Sequence, residues 1–342
     1  MTFKQSVAAR RESQQRRLLA LLKDGAFHSG ERIAQRLKVT RAAVWKQISA
    51  LRNMGIEIQA LTRQGYRLPR SVELYDVKTI SEGLSREAAQ RAESIHVLFE
   101  VDSTNRFLND ALPPVPGNAR VCVAELQTAG RGRRGRSWVA PFGGSICLSV
   151  AWQFADTPTH LPALSLAVGV GLAKVLHRWG CEGVKLKWPN DVLWQGRKLG
   201  GILIEMKGES AGPARVVIGV GFNMLMPAAL RLELAEKHAV LVADLREILR
   251  DRTPGRNQVI SGFVEEIIAT LQRFEREGFA PFRAQWSEYD GLADSTVKLM
   301  LGSDTVLGTV RGVAEDGALL LETAGEVKRY VSGEVSVRMG GR

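Results

Sequence analysis

Residues 28–68 read HSGERIAQRLKVTRAAVWKQISALRNMGIEIQALTRQGYRL, and this stretch decides the architecture of the N-terminal part of the chain. Ser29 stands where an N-cap is needed, ahead of a short helix that carries Ile33, Ala34 and Leu37 at helical spacing. A turn at Lys38–Val39 leads to Thr40, which caps a second helix with Val44, Ile48 and Leu51 turned inward and Gly55 at its end. Alternation then takes over. Ile56, Ile58 and Leu61, a turn at Arg63–Gly65, and Tyr66 with Leu68 form the pattern of a two-stranded hairpin. Just upstream, Leu18, Leu19, Leu21 and Leu22 recur at helical spacing and Gly25 ends that helix, while residues 1–12 are polar and expected to fray. Helix, helix, turn, helix and hairpin predict a winged helix-turn-helix over residues 1–70, whose second turn helix lies in the major groove of DNA. Thr40, Arg41, Lys46 and Gln47 are the candidate DNA-contacting residues of that helix, with Arg63, Gln64 and Arg67 on the wing. The segment from Pro69 to Val77 reads as a linker.

Charge supports this placement. The chain of 342 residues carries 47 Lys/Arg and 36 Asp/Glu, a formal net charge of +11, and residues 1–70 hold 15 of the cations with only 4 of the acids. The rest of the chain therefore holds 32 of each sign and is neutral, so the whole excess belongs to the N-terminal fifth. A concentrated basic module is the footprint of a polyanion binder, because neutralised phosphates release condensed counterions. A basic protein-interaction domain of the same shape is the alternative.

Length and composition, with 45% hydrophobic and 24% charged residues, predict two or three soluble domains. No apolar run follows the basic N-terminus, and the longest uncharged apolar stretch, Leu161 to Ala173, is too short to span a bilayer and reads as a buried helix. Cys122, Cys147 and Cys181 lie far apart, with no spacing suited to zinc, so a reduced, cytoplasmic, non-membrane protein without a metal-ligand cluster is expected.

From 78 to 285 strands and helices mix. Strands are predicted at Ile95–Val101, Val121–Glu125, Ser145–Trp152, Val184–Trp188, Lys198–Met206 and Arg215–Phe222, and helices at Asn105–Ala111, Leu161–Arg178 and Gln258–Gly278. Short turns between neighbouring strands favour a largely antiparallel or mixed sheet with helices packed on it. After Gly291 helical signals stop, and short strands at Val297–Met300, Val306–Val313, Ala318–Glu322, Val327–Val331 and Val335–Arg338 predict a small β-barrel over 291–340. The fold class is α+β and multidomain.

Chemistry concentrates in four motifs. Directly after the strand VCVAEL comes Ala129-Gly130-Arg131-Gly132-Arg133-Arg134-Gly135-Arg136. Its glycines have dinucleotide-fingerprint spacing, but that fingerprint opens a helix with apolar residues, whereas here arginines crowd the loop and SWVAPFGGS follows. A flexible anion clamp explains it better. The glycines let backbone approach a ligand, the guanidinium forks hold phosphate and carboxylate oxygens, and mutual repulsion keeps the loop unordered until a polyanion arrives. A solvated basic loop or an RNA-binding segment is the alternative for this loop alone. The second motif is KLKWPND at 185–191 followed by RKLGGILIE at 197–205, where a turn at a strand end aims side chains into a cleft. The others are Asp102-Ser103-Thr104-Asn105 at a strand-to-helix junction and Gly219-Val220-Gly221-Phe222-Asn223 at a strand end.

STN, QTAGRGRRGR, KWPNDV with RKLGGILIE, and GVGFN, in this order, resemble the biotin–protein ligase family, and the winged helix before them with the barrel after them resembles its bifunctional ligase/operon-repressor (BirA) type. The likeness covers essentially all of the chain after the first dozen residues. It implies a ligase core related to class II synthetases, in which biotin and ATP condense with Mg²⁺ assistance to biotinyl-5′-AMP. Biotin then passes to a lysine of the biotin carboxyl carrier protein of acetyl-CoA carboxylase. By this resemblance Ser103, Thr104, Asn105 and Gln127 meet the ureido ring, Trp138 walls the apolar part of biotin, and Arg131, Gly132 and Arg133 hold carboxylate and phosphates. Gly201 and Asn223 line the adenylate, Lys198 offsets charge during attack, and Asp191 organises the incoming lysine or the metal; Lys198, Arg133 and Asp191 are the catalytic set. The resemblance also implies repression of biotin-synthesis genes through operator DNA, by a homodimer that biotinyl-5′-AMP promotes. One departure stands out: between Asn223 and Asn257 there is no aromatic residue to cover an adenine. A biotin-sensing transcription factor without ligase activity, a lipoate- or octanoate-adenylating enzyme and a nicotinamide dehydrogenase are the competing readings.

Overall fold

The computed structural model describes residues 3–207 and 213–337. The chain forms two compact units, one of residues 1–74 with 141–143, the other of residues 75–140 and 144–342.

In the first unit, α1 (Phe3–Leu22), α2 (Gly30–Leu37) and α3 (Arg41–Asn53) precede a hairpin of β1 (Gln59–Leu61) and β2 (Gly65–Arg67). Both caps read from the sequence form: Ser29 accepts from Arg32 N and Thr40 from Ala43 N, each at 3.2 Å. Leu18, Leu22, Ile33, Val44, Ile48 and Leu51 are fully buried between the helices. The helix α1 begins at Phe3 rather than near Ser13, because a run without Gly or Pro lets the helix continue through the polar residues expected to fray.

The second unit is built on a seven-stranded sheet. Its strands are β3 (Ala92–Val101), β4 (Ala119–Gln127), β5 (Ser145–Gln153), β6 (Val184–Lys187), β7 (Asp191–Trp194), β8 (Arg197–Lys207) and β9 (Arg215–Asn223). They are ordered β3-β4-β5-β9-β8-β7-β6, and only β3 and β4 run parallel. Helices α4 (Val77–Glu82), α5 (Arg86–Arg91), α6 (Thr104–Asp110), α7 (Leu164–Arg178), α8 (Ala228–His238), α9 (Leu245–Leu249), α10 (Arg256–Glu277) and α11 (Ala280–Tyr289) accompany it. Alternation sorts the two faces. Val121, Val123, Ile146, Leu148 and Val150 join α7 and α10 in the main core, whereas Cys122, Ala151 and Val217 pack under Leu108 of α6. The continuous helical stretch Leu161–Arg178, a 3₁₀ turn at Leu161–Ala163 running into α7, is the one such stretch among the described residues long and apolar enough to cross a membrane, and most of it is buried in this core.

The linker is shorter than the sequence reading: it ends before Tyr75, which is 2% exposed. Tyr75 N donates to Glu125 Oε1 at 2.6 Å, the Arg256 guanidinium lies 4.0 Å from the Tyr75 ring centroid, and Arg256 Nη1 meets Glu125 Oε2 at 2.6 Å. Burial pushes the Tyr75 hydroxyl well above the usual tyrosine range.

The small C-terminal β-domain expected from the sequence is an antiparallel five-stranded sheet, ordered β13-β12-β11-β10-β14, in which the last strand pairs with the first. Its strands are β10 (Thr296–Leu301), β11 (Asp304–Val313), β12 (Leu319–Thr323), β13 (Glu326–Tyr330) and β14 (Glu334–Val337); Arg338, predicted to end the last strand, lies outside the described residues. Val297, Leu299, Val310 and Leu321 share the main core with the central sheet, and Trp188 Nε1 donates to Gly317 O at 3.0 Å.

All three cysteines are free and buried. Burial raises each thiol, Cys147 and Cys181 to about 12 and Cys122 higher, so thiolate is scarce at neutral pH. The folded protein is expected to resist iodoacetamide over hours and to take up three labels once unfolded in denaturant. Rapid labelling of the native protein, read by mass spectrometry, would contradict this burial.

Candidate functional site

The arginine-rich segment leaves β4 and returns on itself as a tight hairpin. Gly132 N donates to Arg136 O at 2.7 Å, Trp138 N donates to Gly130 O at 2.9 Å, and Arg131 bridges Ser137. The turn is made at Arg134 and Gly135, whose φ angles are 55° and 73°, a left-handed pair for which glycine is suited at the second position. No helix opens after it, which removes the dinucleotide fingerprint. The arginines of this hairpin find partners on neighbouring segments. Arg131 pairs with Glu205 at 3.4 Å, Arg133 Nη1 reaches Asn190 Oδ1 at 3.5 Å, and Arg136 pairs with Glu334. Two carboxylates and an amide thus partner three of the four arginines, and Arg134 remains exposed.

At the foot of this loop the STN junction builds a buried polar network. Ser103 is the N-cap of α6, its hydroxyl accepting from Arg106 N. Thr104 N and Oγ1 both donate to Gln127 Oε1, at 2.8 and 3.0 Å. Ser149 Oγ lies 2.7 Å from Thr104 Oγ1 and 2.6 Å from Asn105 Oδ1, and Asn105 Nδ2 donates to Glu205 Oε2 at 2.8 Å. Ser103, Thr104 and Asn105 are each 3% exposed. Buried amide and hydroxyl groups so arranged suit a ligand with its own amide-like donors and acceptors. Asn105 leans so close over Gly219 that a side chain there would collide with it.

The third part lies at the start of β8. Gln195 and Gly196 both have positive φ (49° and 73°) between the paired residues Trp194 and Arg197, a two-residue hairpin turn that returns the chain to Lys198. Lys198 Nζ lies 2.7 Å from Asp191 Oδ1, beside Gly201. The backbone of Lys198 is clamped: its N donates to Leu241 O at 2.8 Å and its O accepts from Ala243 N at 2.9 Å. Asn223, placed at the ligand by the sequence reading, instead uses its Nδ2 on Lys198 O (3.2 Å) and Ala243 O (3.0 Å) and is 2% exposed. Only its carbonyl oxygen is left to meet anything else. Its first role is to hold Lys198.

Trp138 connects the three parts. Its indole lies across Gly221, whose ideal Cβ would stand 2.5 Å from the ring, and Lys198 Nζ is 5.8 Å from the ring centroid. Trp138 Nε1 is buried with no hydrogen-bond partner among the described residues, a donor facing a place where an acceptor belongs. Gly221→Ala should displace this indole. The expected result is a ligand dissociation constant weakened about tenfold or more, with a stability loss of about 1–3 kcal/mol typical of overpacking. Calorimetric titration measures the first and thermal melting the second; wild-type affinity in G221A would remove Trp138 from the site.

Sequence reasoning passed over four side chains here. Lys187, opposite Asp191 in the β6/β7 register, is desolvated enough to hold its amine below the usual lysine range despite Asp191 beside it. Asn190 receives Arg133 and donates from Nδ2 to Ile202 O at 2.8 Å. Both stand in the KWPND motif and were legible there; Glu205 closes RKLGGILIE. Ser149 carried one faint signal, a hydroxyl inside the apolar run SICLSVAW.

In the winged unit, Arg41, Lys46, Arg63 and Gln64 are exposed as expected, and Thr40 is exposed with its hydroxyl serving as a cap. Gln47 is corrected. It is 9% exposed and its Nε2 donates to Gln14 Oε1 at 3.2 Å, because position 47 falls on the same inward stripe as Val44, Ile48 and Leu51. Arg67 stacks on Phe27 at 4.6 Å and donates to Gln59, so it braces the wing.

Comparison with known proteins gives a consistent picture. Residues 98–223 match the biotin/lipoate A/B protein ligase family, residues 14–67 an HTH domain, and residues 294–338 the biotin protein ligase C-terminal domain. The bifunctional ligase/repressor BirA of Salmonella typhimurium and that of Escherichia coli are each 38% identical over 322 residues, 94% of this chain and 96% of theirs. The biotin–[acetyl-CoA-carboxylase] ligase of Mycobacterium tuberculosis is 34% identical over 70% of this chain and 88% of its own length. Among solved structures, a biotin protein ligase from Aquifex aeolicus in complex with biotin and ATP superimposes with a TM-score of 0.59 at 28% identity, covering 72% of this chain and 99% of that one.

Proposed function

Because the chain belongs to the bifunctional biotin–protein ligase/repressor family, we propose that it activates biotin with ATP and passes it to a lysine of a biotin carboxyl carrier protein. Thr104, Asn105 and Gln127 receive the ureido ring, with Ser103 shaping the turn that presents them. Trp138 and Gly221 form the wall beside the valeryl chain. Arg131, Gly132 and Arg133 exchange their contacts with Glu205 and Asn190 for ligand oxygens, and Glu205 keeps the amide donors of Asn105 and Asn109. A biotin carboxylate oxygen then attacks the α-phosphorus and pyrophosphate leaves. Two anions must meet in this step, so fixed positive charge at Lys198 and Arg133 carries most of the catalysis. In the second half the carrier amine attacks the anhydride carbonyl and AMP leaves; Asp191 is placed to accept its proton. Magnesium would travel with the nucleotide phosphates, and Asp191 is the carboxylate of the proposed catalytic set that could meet it.

What supports this reading above all is convergence: the Lys198 amine, the partnerless N–H of Trp138 and the arginine hairpin meet beside the Thr104–Gln127–Asn105 network. The test is to incubate the protein with ATP, Mg²⁺, biotin and a carrier domain and to weigh the carrier. One added biotinyl group is expected; an unmodified carrier with no pyrophosphate released would leave only a biotin sensor. Lipoate offered in place of biotin is expected to leave the carrier unchanged.

Residues 1–70 are assigned to DNA, 78–285 to ligation and 291–340 to the appended sheet. The adenylate favours a homodimer, which pairs two winged helices on a palindromic operator, and by linkage DNA then favours the liganded dimer. Three buried free thiols suit the cytoplasm.

A further inference from the structure

The recognition helix carries a side chain that neither the ligase chemistry nor the charge argument uses. Trp45 on α3 is 61% exposed, more than any other aromatic whose side-chain burial is described. Neighbouring positions on α3 explain where it points. Val44, Gln47, Ile48 and Leu51 turn inward, whereas Arg41, Ala42, Trp45 and Lys46 turn outward. Arg41 and Trp45 are one helical turn apart, and Arg41 is the first residue of the helix, so Trp45 closes its first turn. That is the part of a recognition helix that reaches base edges. Ala42 and Ala43 leave the ground around the indole low, so nothing bulky on this helix shields it.

An indole held in water on a cationic face is costly to leave there and gains from a partner that is anionic at its rim and apolar at its centre. Duplex DNA has that form. Arg41, Lys46, Arg63 and the basic excess of residues 1–70 meet phosphates, while the one apolar group the major groove displays is the C5-methyl of thymine. We infer that Trp45 packs on a thymine methyl in the major groove and is a specificity-determining residue of the winged unit. This rests on the assignment of that unit to DNA and goes beyond it by naming the base chemistry it reads.

The experiment uses the full chain with biotin, ATP and Mg²⁺. Wild-type protein selects duplexes from a randomised pool, and each thymine of the preferred sequence is replaced in turn by deoxyuridine, which deletes only the methyl. At one position or a symmetric pair, wild type is expected to lose about fourfold in affinity per site, the worth of one buried methyl group. Trp45→Ala should be indifferent to that replacement, should select a degenerate base there, and should keep the salt dependence that phosphate contacts set. Trp45→Phe should restore most of the preference, and an unchanged circular dichroism spectrum verifies that the variants fold. The inference is overturned if Trp45→Ala feels the methyl deletion as wild type does, or if no thymine replacement matters. It is equally overturned if the variant keeps its base preference but no longer self-associates, which would make Trp45 a contact between protein copies. Wild-type protein that fails to bind any duplex would sink the DNA assignment itself and this inference with it.

Discussion

Arg256→Ala is expected to cost the catalytic unit about 3–5 kcal/mol and to lower its melting temperature on the order of 10 °C. The pair it breaks is closed off from water. Arg256 and Glu125 side chains are 6% and 0% exposed and their charged atoms lie 2.6 Å apart. The guanidinium also reaches Ser145 O at 3.3 Å and covers the Tyr75 ring. Truncating the cation leaves the Glu125 carboxylate in a medium that solvates it poorly, and that uncompensated charge, more than the lost attraction, sets the size of the effect. Replacing both partners by leucine removes the unpaired charge and should recover most of the loss. The anchor also bears on the site, because Glu125 lies two residues before Gln127 on β4 and holds the backbone of Tyr75 where the chain enters the unit. Calorimetric melting of the single and double variants decides the matter. A loss under 1 kcal/mol in Arg256→Ala would mean that water reaches the pair and that the anchor is not buried as described.

Where the sequence spoke through caps and periods, the reading and the fold agree. Ser29 and Thr40 cap their helices, the inward stripe of α3 was visible at 44, 48 and 51, and the short turns between strands pointed to a mixed sheet with helices packed on it. The failures have separate physical causes. Gln47 was placed toward DNA because it is polar, although its position on the stripe outranked its polarity. The linker was drawn too long because Tyr75 and Asp76 look like solvent-exposed connection until Glu125 and Asn257, which hold their amides, are brought in from far along the chain. Helix α8 has no buried residue and so no apolar period to read, and α11 follows a glycine with a proline in its first turn, which reads as an ending. At the site, residue types within contiguous motifs were legible, whereas their partners were not. That Glu205 would occupy Arg131, or that Asn223 would hold Lys198 by its backbone, depends on contacts between strands that no local pattern encodes.

Lys198→Ala is expected to slow adenylate formation by about 10²–10³ while leaving transfer from ready-made biotinyl-5′-AMP much less affected. The first half-reaction brings a carboxylate to a phosphate, so a fixed cation at the point of attack acts on charge that gathers only as the bond forms, and removing one preorganised donor of this kind costs that order. Lys198 is preorganised by its surroundings: Leu241 and Ala243 hold its backbone, Asn223 braces its carbonyl, and Asp191 holds its amine at 2.7 Å until ligand arrives. Arginine at 198 should restore little, because a planar guanidinium fork does not reproduce the compact point charge of an ammonium. Asp191→Asn removes the resting partner of Lys198 and the acceptor for the carrier amine, so it should slow transfer more than activation, the reverse of the Lys198→Ala pattern. Biotin-dependent exchange of pyrophosphate into ATP measures the first half, and single-turnover transfer from supplied adenylate measures the second. If Lys198→Ala slowed both halves equally, the amine would be a binding contact shared by ground and transition states, and the charge-neutralising role argued for it would be wrong.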